Sequence, residues 1–511
     1  MTAADSTATA AHAEVGREQV ETLVIGSGFA GLAMAVALQR DGVADFVVLE
    51  RGDDVGGTWR DNTYPGAACD VPSHLYSLSF APNAAWTRSF SDQPEIQAYL
   101  RRVADEHGVR PHLRTGTTVT EARWDEHARR WEVDTDRGGF TARFLINGGG
   151  ALSDPALPRL RGLESFSGGV FHSARWDHGH DLAGERVAVI GTGASAVQLV
   201  PQIQPVVGRL AVFQRTPPWV IPRRDRAITR LERAAYSRVP VLARLTRQAI
   251  YWGRETFAYA FTRDTRLLRL PEALARRHIK RGISDPALRT TVTPDYTLGC
   301  KRVLISNDYY PALDQPNVEV VTTGIDRVTS TGIVDGAGVE HDLDTIVFAT
   351  GFTTTDLPLA HHIRGVGGTT LAERWCEGMV ANRGTTVDGF PNFFLLVGPN
   401  TGLGHSSQVF MIEQQVGYVS RLLAEVRRAG SAVIEVRREA VEEHTGAVRR
   451  RMERTVWTTG GCSSWYLDAQ GHNTTLWPSF TFTFRSALAG VDLWSYRLDA
   501  PAPADVVTAG R

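Results

Sequence analysis

The sequence lacks several features that would place it in a common class of protein. Its four cysteines, Cys69, Cys300, Cys376 and Cys462, are too few and too scattered to predict a disulfide framework or a zinc site. It contains no Cys-x-x-Cys pair, which excludes the redox-active dithiol of the disulfide reductases. Because the cysteines are too scattered for a zinc site, we expect no metal site. The sequence also contains no uncharged apolar run of 18 residues or more, so we expect no membrane span.

An excess of charge of one sign is absent too. The chain has 55 Lys and Arg against 56 Asp and Glu, so its overall charge gives no support to a nucleic-acid or membrane role. The first 20 residues are rich in Ala, Thr and Ser and lack the apolar core of a signal peptide, which predicts a disordered tail. The default location is therefore the reducing cytoplasm.

A glycine turn of the dinucleotide-binding kind lies near the start of the chain. The strand-like run 22–25 leads into Gly26, Gly28 and Gly31, spaced as GxGxxG, and a helical pattern follows. Gly26 permits the tight turn, Gly28 lets a pyrophosphate approach the backbone, and Gly31 lets helix and strand pack closely. The helix N-terminus would face the phosphates. Since the next strand ends in Glu50, a carboxylate for ribose hydroxyls, we predict that this site binds FAD.

The same turn recurs after the strand-like run 186–190. Here the next strand ends in Gln214 and Arg215, without a carboxylate. A cation in that place suits a 2′-phosphate, so this site is predicted to bind NADPH; the alternative is that Arg215 merely decorates a strand end. The other residues expected to contact this cofactor are Gly191, Thr192, Gly193, Ala194, Ser195 and Thr216.

These patterns predict an α/β protein with two Rossmann-like dinucleotide-binding domains, the NADP domain nested in the FAD domain. Residues 223–297 are Arg-rich with helical periodicity at Leu231, Leu242 and Leu245, which predicts an inserted helical subdomain whose arginines form a solvated face. The predicted segments are a disordered tail (1–20), the FAD domain (21–154 and 355–511, the latter with a C-terminal loop), the NADP domain (155–222 and 298–354) and the helical insertion (223–297).

Three further blocks narrow the chemistry. Residues 166–177 read FSGGVFHSARWD and fit FxGxxxHxxxW followed by Asp, and residues 56–70 fit GGxWxxxxYPGxxxD. Lys301 and Arg302 form the third block, together with a Tyr-Tyr pair at 309–310. With the two glycine turns, these blocks resemble the single-chain, FAD-containing Baeyer–Villiger monooxygenases over about residues 20 to 490. The chain departs from the best-known cycloketone enzymes of that family beyond Ser464 and Trp465.

The resemblance implies an enzyme that takes a small-molecule ketone and O2, without a protein redox partner. NADPH would reduce the flavin, and dioxygen would form a peroxide at flavin C4a that attacks the ketone to give an ester or lactone. By resemblance Arg302 stabilises the anionic peroxide and the oxyanion, and Asp70 holds that arginine through a charge-assisted pair. Lys301 is expected on the 2′-phosphate with Arg215. The alternatives are that Arg302 is an ordinary surface arginine and that Asp70 only caps a turn.

The resemblance implies further cofactor contacts. Those around the flavin or NADP are Gly57, Thr58, Trp59, Asp70, Tyr76 and Trp465. Residues 397–402 would aim a helix N-terminus at the flavin pyrimidine. His172, although tempting as a base, is interpreted as mostly structural and as part of the link between domains.

Two other functions stay open at this point. The first is an N- or S-oxygenating flavin monooxygenase on the same fold, which usually has Tyr or Phe where Trp176 stands. The second is a pyridine-nucleotide reductase that passes electrons to a protein partner, against whose commonest form the missing Cys-x-x-Cys argues.

Overall fold

The structure is a computed structural model and describes residues 16–499. Its strands are β1 (Glu18–Ile25), β2 (Phe46–Leu49), β3 (Leu113–Arg114), β4 (Val119–Asp125), β5 (Arg130–Thr135), β6 (Gly138–Asn147), β7 (Gly169–His172), β8 (Arg186–Ile190), β9 (Arg209–Phe213), β10 (Val220–Ile221), β11 (Leu304–Ile305), β12 (Val318–Val321), β13 (Ile325–Val328), β14 (Gly332–Asp335), β15 (Glu340–Asp342), β16 (Thr345–Phe348), β17 (Ile363–Arg364), β18 (Phe393–Leu395), β19 (Val433–Val436) and β20 (Tyr496–Asp499).

The helices in the same range are α1 (Phe29–Arg40), α2 (Thr58–Asp61), α3 (Gln93–Glu106), α4 (Ala194–Ile203), α5 (Arg230–Arg238), α6 (Pro240–Thr262), α7 (Arg269–Gly282), α8 (Pro286–Thr291), α9 (Tyr309–Leu313), α10 (Leu371–Arg374), α11 (Gln408–Arg428), α12 (Arg438–Met452), α13 (Val456–Thr459) and α14 (Thr481–Ala487).

The first sheet is built around β1. Its strand order is β17-β4-β5-β6-β1-β2-β3, and β18 pairs with β6. β1 runs parallel to both β2 and β6, and residues 22–25 follow one another as a continuous buried run. That run is typical of a parallel strand covered on both faces. Helices α1 and α11 pack together. α1 follows β1 and α11 follows β18, and both strands run parallel to β6, so both helix N-termini lie toward the same edge of the sheet.

The second sheet has the order β12-β9-β8-β16-β7, and all its pairings are parallel. Its strands come from residues 169–348, between β6 and β17 of the first sheet in the chain. The predicted α/β architecture, with one Rossmann-like sheet nested in the other, is therefore confirmed.

Helices α5 to α8 lie between β10 and β11, which pair with each other. A capping box of Thr229 and Glu232 starts α5, and Pro240 occupies the first turn of α6, where its missing N–H costs nothing. All four helices fall within the predicted insertion 223–297. The exact domain boundaries stay a prediction.

Two expectations from the sequence need correction. Residues 18–20, predicted as the end of a disordered tail, form the start of β1 because they pair with residues 140–142 of β6. Residues 1–15 of that predicted tail lie outside the described residues.

No helix within residues 16–499 is long and apolar enough to cross a membrane.

The second correction concerns the cysteines. Cys300 and Cys462, separated by 162 positions, form a disulfide, while Cys69 and Cys376 are free. The sequence did not predict this bridge, since only the fold brings two segments so distant in the chain together. Disulfides are rare in cytosolic proteins, so the bridge weakens the inference from cysteine usage to a cytoplasmic location.

Candidate active site

The first glycine turn joins β1 to α1, and its backbone fits only glycine at two positions. Gly26 has a φ of 89°, in the left-handed region. A Cβ on Gly31 would lie 1.8 Å from the carbonyl oxygen of Gly26. Gly28 is the N-cap of α1, so the free N–H groups of the first helical turn face outward from the turn, as a pyrophosphate site requires.

Glu50 follows β2 at the same sheet edge and is 4% exposed. Its carboxylate accepts hydrogen bonds from the Ser27 N–H (2.9 Å), the Ser27 hydroxyl (2.7 Å) and the Gly52 N–H (2.8 Å), and it pairs with Arg60 at 2.6 Å. Burial alone would raise the pKa of Glu50, but Arg60 and these hydrogen bonds outweigh it and lower the pKa. Because a carboxylate has about four acceptor positions, a ribose hydroxyl would have to displace one of these donors.

The second glycine turn joins β8 to α4. Gly191 has a φ of 114°, and a Cβ there would lie 2.5 Å from the Ala349 carbonyl oxygen. Gly193 is the N-cap of α4, so the predicted cofactor contacts Ala194 and Ser195 open that helix. The Thr192 hydroxyl donates to the Thr216 carbonyl at 3.0 Å, which fixes the turn against the segment that follows β9.

Arg215 and Lys301 come close to each other beside this turn. Arg215 is exposed, and the Lys301 ammonium lies 5.2 Å from the centre of the Tyr296 ring. Burial, and then the charge of Arg215, lower the pKa of Lys301. Two neighbouring cations repel, so an anion between them would be stabilised.

Asp70 and Arg302, 232 positions apart, form a bidentate ion pair. Arg302 Nε donates to Asp70 Oδ2 and Nη2 to Oδ1, each at 2.6 Å. A second guanidinium, that of Arg254 on α6, donates to the Asp70 backbone carbonyl at 3.1 Å. Burial alone would raise the pKa of Asp70, but Arg302 and Arg254 outweigh it and hold the pKa below its usual range. Asp70 raises the pKa of Arg302 in turn, so both groups stay charged.

Trp59 and Tyr76 lie beside the first glycine turn. The Trp59 indole N–H donates to the Tyr76 hydroxyl at 3.0 Å, and the Tyr76 ring packs edge-on against Phe29 of α1. The predicted contacts Gly57 and Thr58 form the start of α2, with Gly57 as its N-cap at a φ of 53°. The segment therefore places an aromatic pair between the first glycine turn and the Asp70–Arg302 pair.

The loop that contains Trp465 is held near Arg302. Trp465 is 43% exposed and stacks at a tilt on Tyr466, with 4.5 Å between ring centres. Tyr466 is buried next to Arg302 and Asp70, and its hydroxyl has no hydrogen-bond partner among the described residues. The Cys300–Cys462 disulfide joins this loop to the residue that precedes Lys301.

The N-terminus of α11 closes another side of the site. Ser406 and Ser407, just before the helix, have buried hydroxyls without hydrogen-bond partners in the part of the chain that the structure describes. His405 pairs with Glu255 of α6 at 3.3 Å, and its Nδ1 is also buried without a partner there. Buried polar groups of this kind are normally satisfied, so these atoms indicate a place for a polar ligand.

His172 is the last residue of β7 and is buried. Its Nδ1 accepts the Ala174 N–H at 3.0 Å, and its ring packs edge-on against Phe352 at 6.0 Å. Phe352 in turn bridges to Pro155, where the chain crosses between the sheets. These contacts agree with a structural part in the crossing, although its role in motion stays a prediction.

The sequence did not single out several residues of this site. Arg60 lies at a variable position of the GGxWxxxxYPGxxxD block, and Arg254 is one of many arginines in the helical insertion. Nothing in the sequence therefore marks either residue as part of the site. Ser406 and Ser407 could have been found as hydroxyls at a predicted helix start. The roles of all these residues, like those predicted from the sequence, stay proposals.

Comparisons with known proteins find a family model over part of the chain and relatives over nearly all of it. Residues 23–229, which include both glycine turns, match the family model described as pyridine nucleotide-disulphide oxidoreductase. A Baeyer–Villiger monooxygenase of Streptomyces coelicolor is 53% identical over 499 residues, which cover 97% of this chain and 96% of that protein. A Baeyer–Villiger monooxygenase of Pseudomonas aeruginosa is 48% identical over 477 residues, or 93% of this chain and 90% of that protein.

Solved structures are similar over nearly the whole chain. Cyclohexanone monooxygenase from Rhodococcus sp. Phi1 bound to NADP+ has a TM-score of 0.85 at 31% identity, covering 95% of this chain and 100% of that one. The OTEMO complex with FAD and NADP has a TM-score of 0.84 at 28% identity, covering 94% and 100%.

Proposed function

The chain belongs to the family of Baeyer–Villiger monooxygenases, and we propose that it inserts one atom of dioxygen beside the carbonyl of a ketone, giving an ester or a lactone. The proposed cofactors are FAD and NADPH. The similar OTEMO structure is a complex with FAD and NADP, and the similar Rhodococcus cyclohexanone monooxygenase is bound to NADP+. The two glycine turns of this chain fit two such dinucleotides.

FAD fits the first glycine turn. The close approach of Gly31 to Gly26 leaves the backbone accessible to a pyrophosphate, and the unpartnered hydroxyls of Ser406 and Ser407 offer donors to the polar edge of a flavin ring. Trp59 and Tyr76 supply an aromatic wall between these two places. Reduced FAD, when bound, supplies the electrons and the position at which dioxygen is activated.

NADPH, rather than NADH, is the proposed electron donor at the second turn. Arg215 and Lys301 stand where the adenosine ribose of a Rossmann site is expected, and no carboxylate takes the place that Glu50 has in the first site. A 2′-phosphate between the two cations would relieve their repulsion. Both turns lie in one chain, which supports electron transfer without a protein redox partner.

The bidentate Arg302–Asp70 pair is the observation that carries the proposal. Asp70 uses both carboxylate oxygens to hold the guanidinium in one orientation, and the opposite edge of that group, with Nη1, makes no hydrogen bond to the described residues. Such a cation keeps the attacking oxygen anionic, hence nucleophilic, and stabilises negative charge on the ketone oxygen after attack. Nucleophilic oxygen attacks ketones, whereas amine and sulfide oxidation needs an electrophilic oxygen.

The test uses purified, FAD-loaded enzyme with NADPH, 18O2, a panel of linear and cyclic ketones, and one sulfide. We expect an ester or lactone that contains one 18O atom, with NADPH consumed in proportion to product. A sulfoxide without an ester from any ketone would show an electrophilic oxygenating enzyme instead. NADPH oxidation without 18O in any product would indicate a reductase.

A further inference from the structure

The helical insertion concentrates the exposed apolar side chains of the molecule. Of the twenty large hydrophobic residues exposed among residues 16–499, eleven lie in residues 223–297, which are fewer than a sixth of that range. Three of the leucines whose period predicted these helices, Leu231, Leu242 and Leu245, are 84%, 40% and 60% exposed. The periodic apolar residues of the insertion therefore include some that face solvent and do not pack on the core.

Four of these side chains form a stripe along α6. Val241, Leu245, Trp252 and Tyr259 are 49% to 60% exposed and follow at intervals of four, seven and seven residues, which places them on one face of a helix. The stripe extends for about 27 Å at about 1.5 Å per residue. An apolar stripe this long on a surface helix marks a site of interaction.

The insertion that carries the stripe is rich in cations. Residues 223–297 contain seventeen Lys and Arg against seven Asp and Glu, a formal charge of +10, while the whole chain has −1. Arg238 at the end of α5 and Arg244 and Arg263 on or next to α6 are exposed, and none pairs with an acidic side chain of the described residues. The near-zero net charge of the sequence therefore conceals a cationic insertion, with exposed arginines on and next to α6.

We propose that this face, the α6 stripe with its flanking arginines, binds the surface of an anionic lipid bilayer. An amphipathic helix with Trp, Leu and Tyr on one side and arginine beside them is suited to lie in the headgroup region, where apolar side chains leave water and arginines meet lipid phosphates. Nucleic acid would use the cations but leave the aliphatic stripe exposed. A second copy of the chain would bury the stripe but bring two cationic insertions together in a symmetric dimer.

The same helix connects this face with the candidate active site. Arg254, two residues after Trp252, contacts Asp70, and Glu255 pairs with His405. A bilayer on the outer face would place dissolved apolar molecules about one helix diameter from the site. Delivery of an apolar ketone from the bilayer rests on the proposed function, but binding of the face to lipid does not.

The test is co-sedimentation of the purified holoenzyme with vesicles of phosphatidylcholine alone or of equal parts phosphatidylglycerol and phosphatidylcholine. We expect binding to the anionic vesicles only, weakening as salt is added, with a blue shift of tryptophan fluorescence. The double variant Leu245→Ser/Trp252→Ser should bind at least about tenfold more weakly, because two apolar side chains no longer enter the bilayer. Replacing Arg238, Arg244 and Arg263 by Gln should weaken binding about fivefold for each arginine.

A matched control is Leu157→Ser/Trp494→Ser, which removes a leucine and a tryptophan that are 57% and 59% exposed outside the insertion. This control should bind like the parent enzyme, and all variants should keep FAD content and melting temperature, since the altered side chains are exposed. Absence of binding to anionic vesicles, or equal loss in both double variants, would overturn the proposal. Two further outcomes would overturn it if the parent does not bind vesicles. One is a dimer, seen by light scattering, that the Leu245→Ser/Trp252→Ser variant dissociates, and the other is binding to duplex DNA.

Discussion

Asp70 and Arg302 are joined by two hydrogen bonds of 2.6 Å, and Arg254 holds the backbone of the same aspartate from α6. Asp70 therefore ties together three regions: the segment after the first glycine turn, the segment just before β11, which its carboxylate holds, and the helical insertion, which its backbone carbonyl contacts. Its position depends on all three, and so does the orientation of the guanidinium that it holds.

Arg302→Ala should abolish most ester formation while FAD stays bound and NADPH is still oxidised. Loss of one preorganised donor to a developing oxyanion costs about 10²- to 10³-fold in rate. Ester yield and NADPH consumption are measured together by gas chromatography and absorbance. Arg209→Ala, which removes an exposed arginine paired with Glu319 on the second sheet, is the control and should keep both activities. Full ester yield in the Arg302 variant would remove this residue from the mechanism.

Arg215→Ala should raise the KM for NADPH about tenfold to a hundredfold, because a charge-assisted bond to a phosphate contributes about 1.5–3 kcal/mol. The KM for NADH, which has no 2′-phosphate, should hardly change and serves as the internal control. Steady-state rates over a range of each nucleotide give both constants. An unchanged KM for NADPH would show that Arg215 lies at the end of β9 without binding the 2′-phosphate.

The fold should lose stability in mild acid partly through His172. Burial lowers the pKa of His172 from 6.5 to about 4, and its Nδ1 accepts a backbone hydrogen bond that a proton there would break. The unfolded chain therefore takes up a proton that the folded chain does not, so stability falls as pH drops through this window. The loss attributable to His172 is about 2 kcal/mol between pH 7 and pH 5.

Urea unfolding at both pH values measures that loss. His172→Asn keeps an acceptor for the Ala174 N–H but does not titrate, so its stability should fall by about 2 kcal/mol less than that of the parent. His127→Asn, at an exposed turn, should behave like the parent. Equal pH dependence in the His172 variant and the parent would contradict the prediction.

Cys462→Ser should lower the free energy of unfolding by about 2–4 kcal/mol, because the disulfide restricts a long loop of the unfolded chain. Thermal unfolding is measured with and without a reductant. The reductant should lower the stability of the parent but should not change that of the variant. Cys376→Ser, at an exposed free cysteine, is the control. Thiol titration of the denatured, unreduced parent should find two free thiols; four would show that the bridge does not form.

The parts of the fold that follow local rules could be predicted from the sequence. Glycine spacing and buried runs located both Rossmann-like units, because the turn after β1 or β8 tolerates no Cβ at its tight positions. The start of β1 is not evident from the sequence, since Glu18 and Gln19 are polar and exposed and join the strand only through their pairing with β6. Capping signals such as Thr229 with Glu232 lie within the insertion but do not reveal which helix face is exposed.

The site was predicted in part. Asp70 and Arg302 were paired by resemblance to a family, and the structure brings them together; nothing in their spacing of 232 positions predicts the contact. The contacts of Arg60 with Glu50 and of Arg254 with Asp70 depend on long-range packing, in which one arginine of many is selected. The same holds for the bridge between Cys300 and Cys462, whose partners meet only in the folded chain.

The arrangement of two guanidiniums on one aspartate, Arg302 on its carboxylate and Arg254 on its backbone carbonyl, has an electrostatic consequence. Asp70 neutralises one of the two positive charges of Arg254 and Arg302, and no other acidic side chain of residues 16–499 pairs with either arginine. The cluster therefore has a surplus of one positive charge in a place only partly open to water, where the side chains of Arg302 and Asp70 are 32% and 19% exposed. Burial with this surplus already lowers the pKa of Arg254. Binding or formation of a negative charge beside the cluster is therefore favoured, and the folded protein holds these positive groups in place before an anion is present.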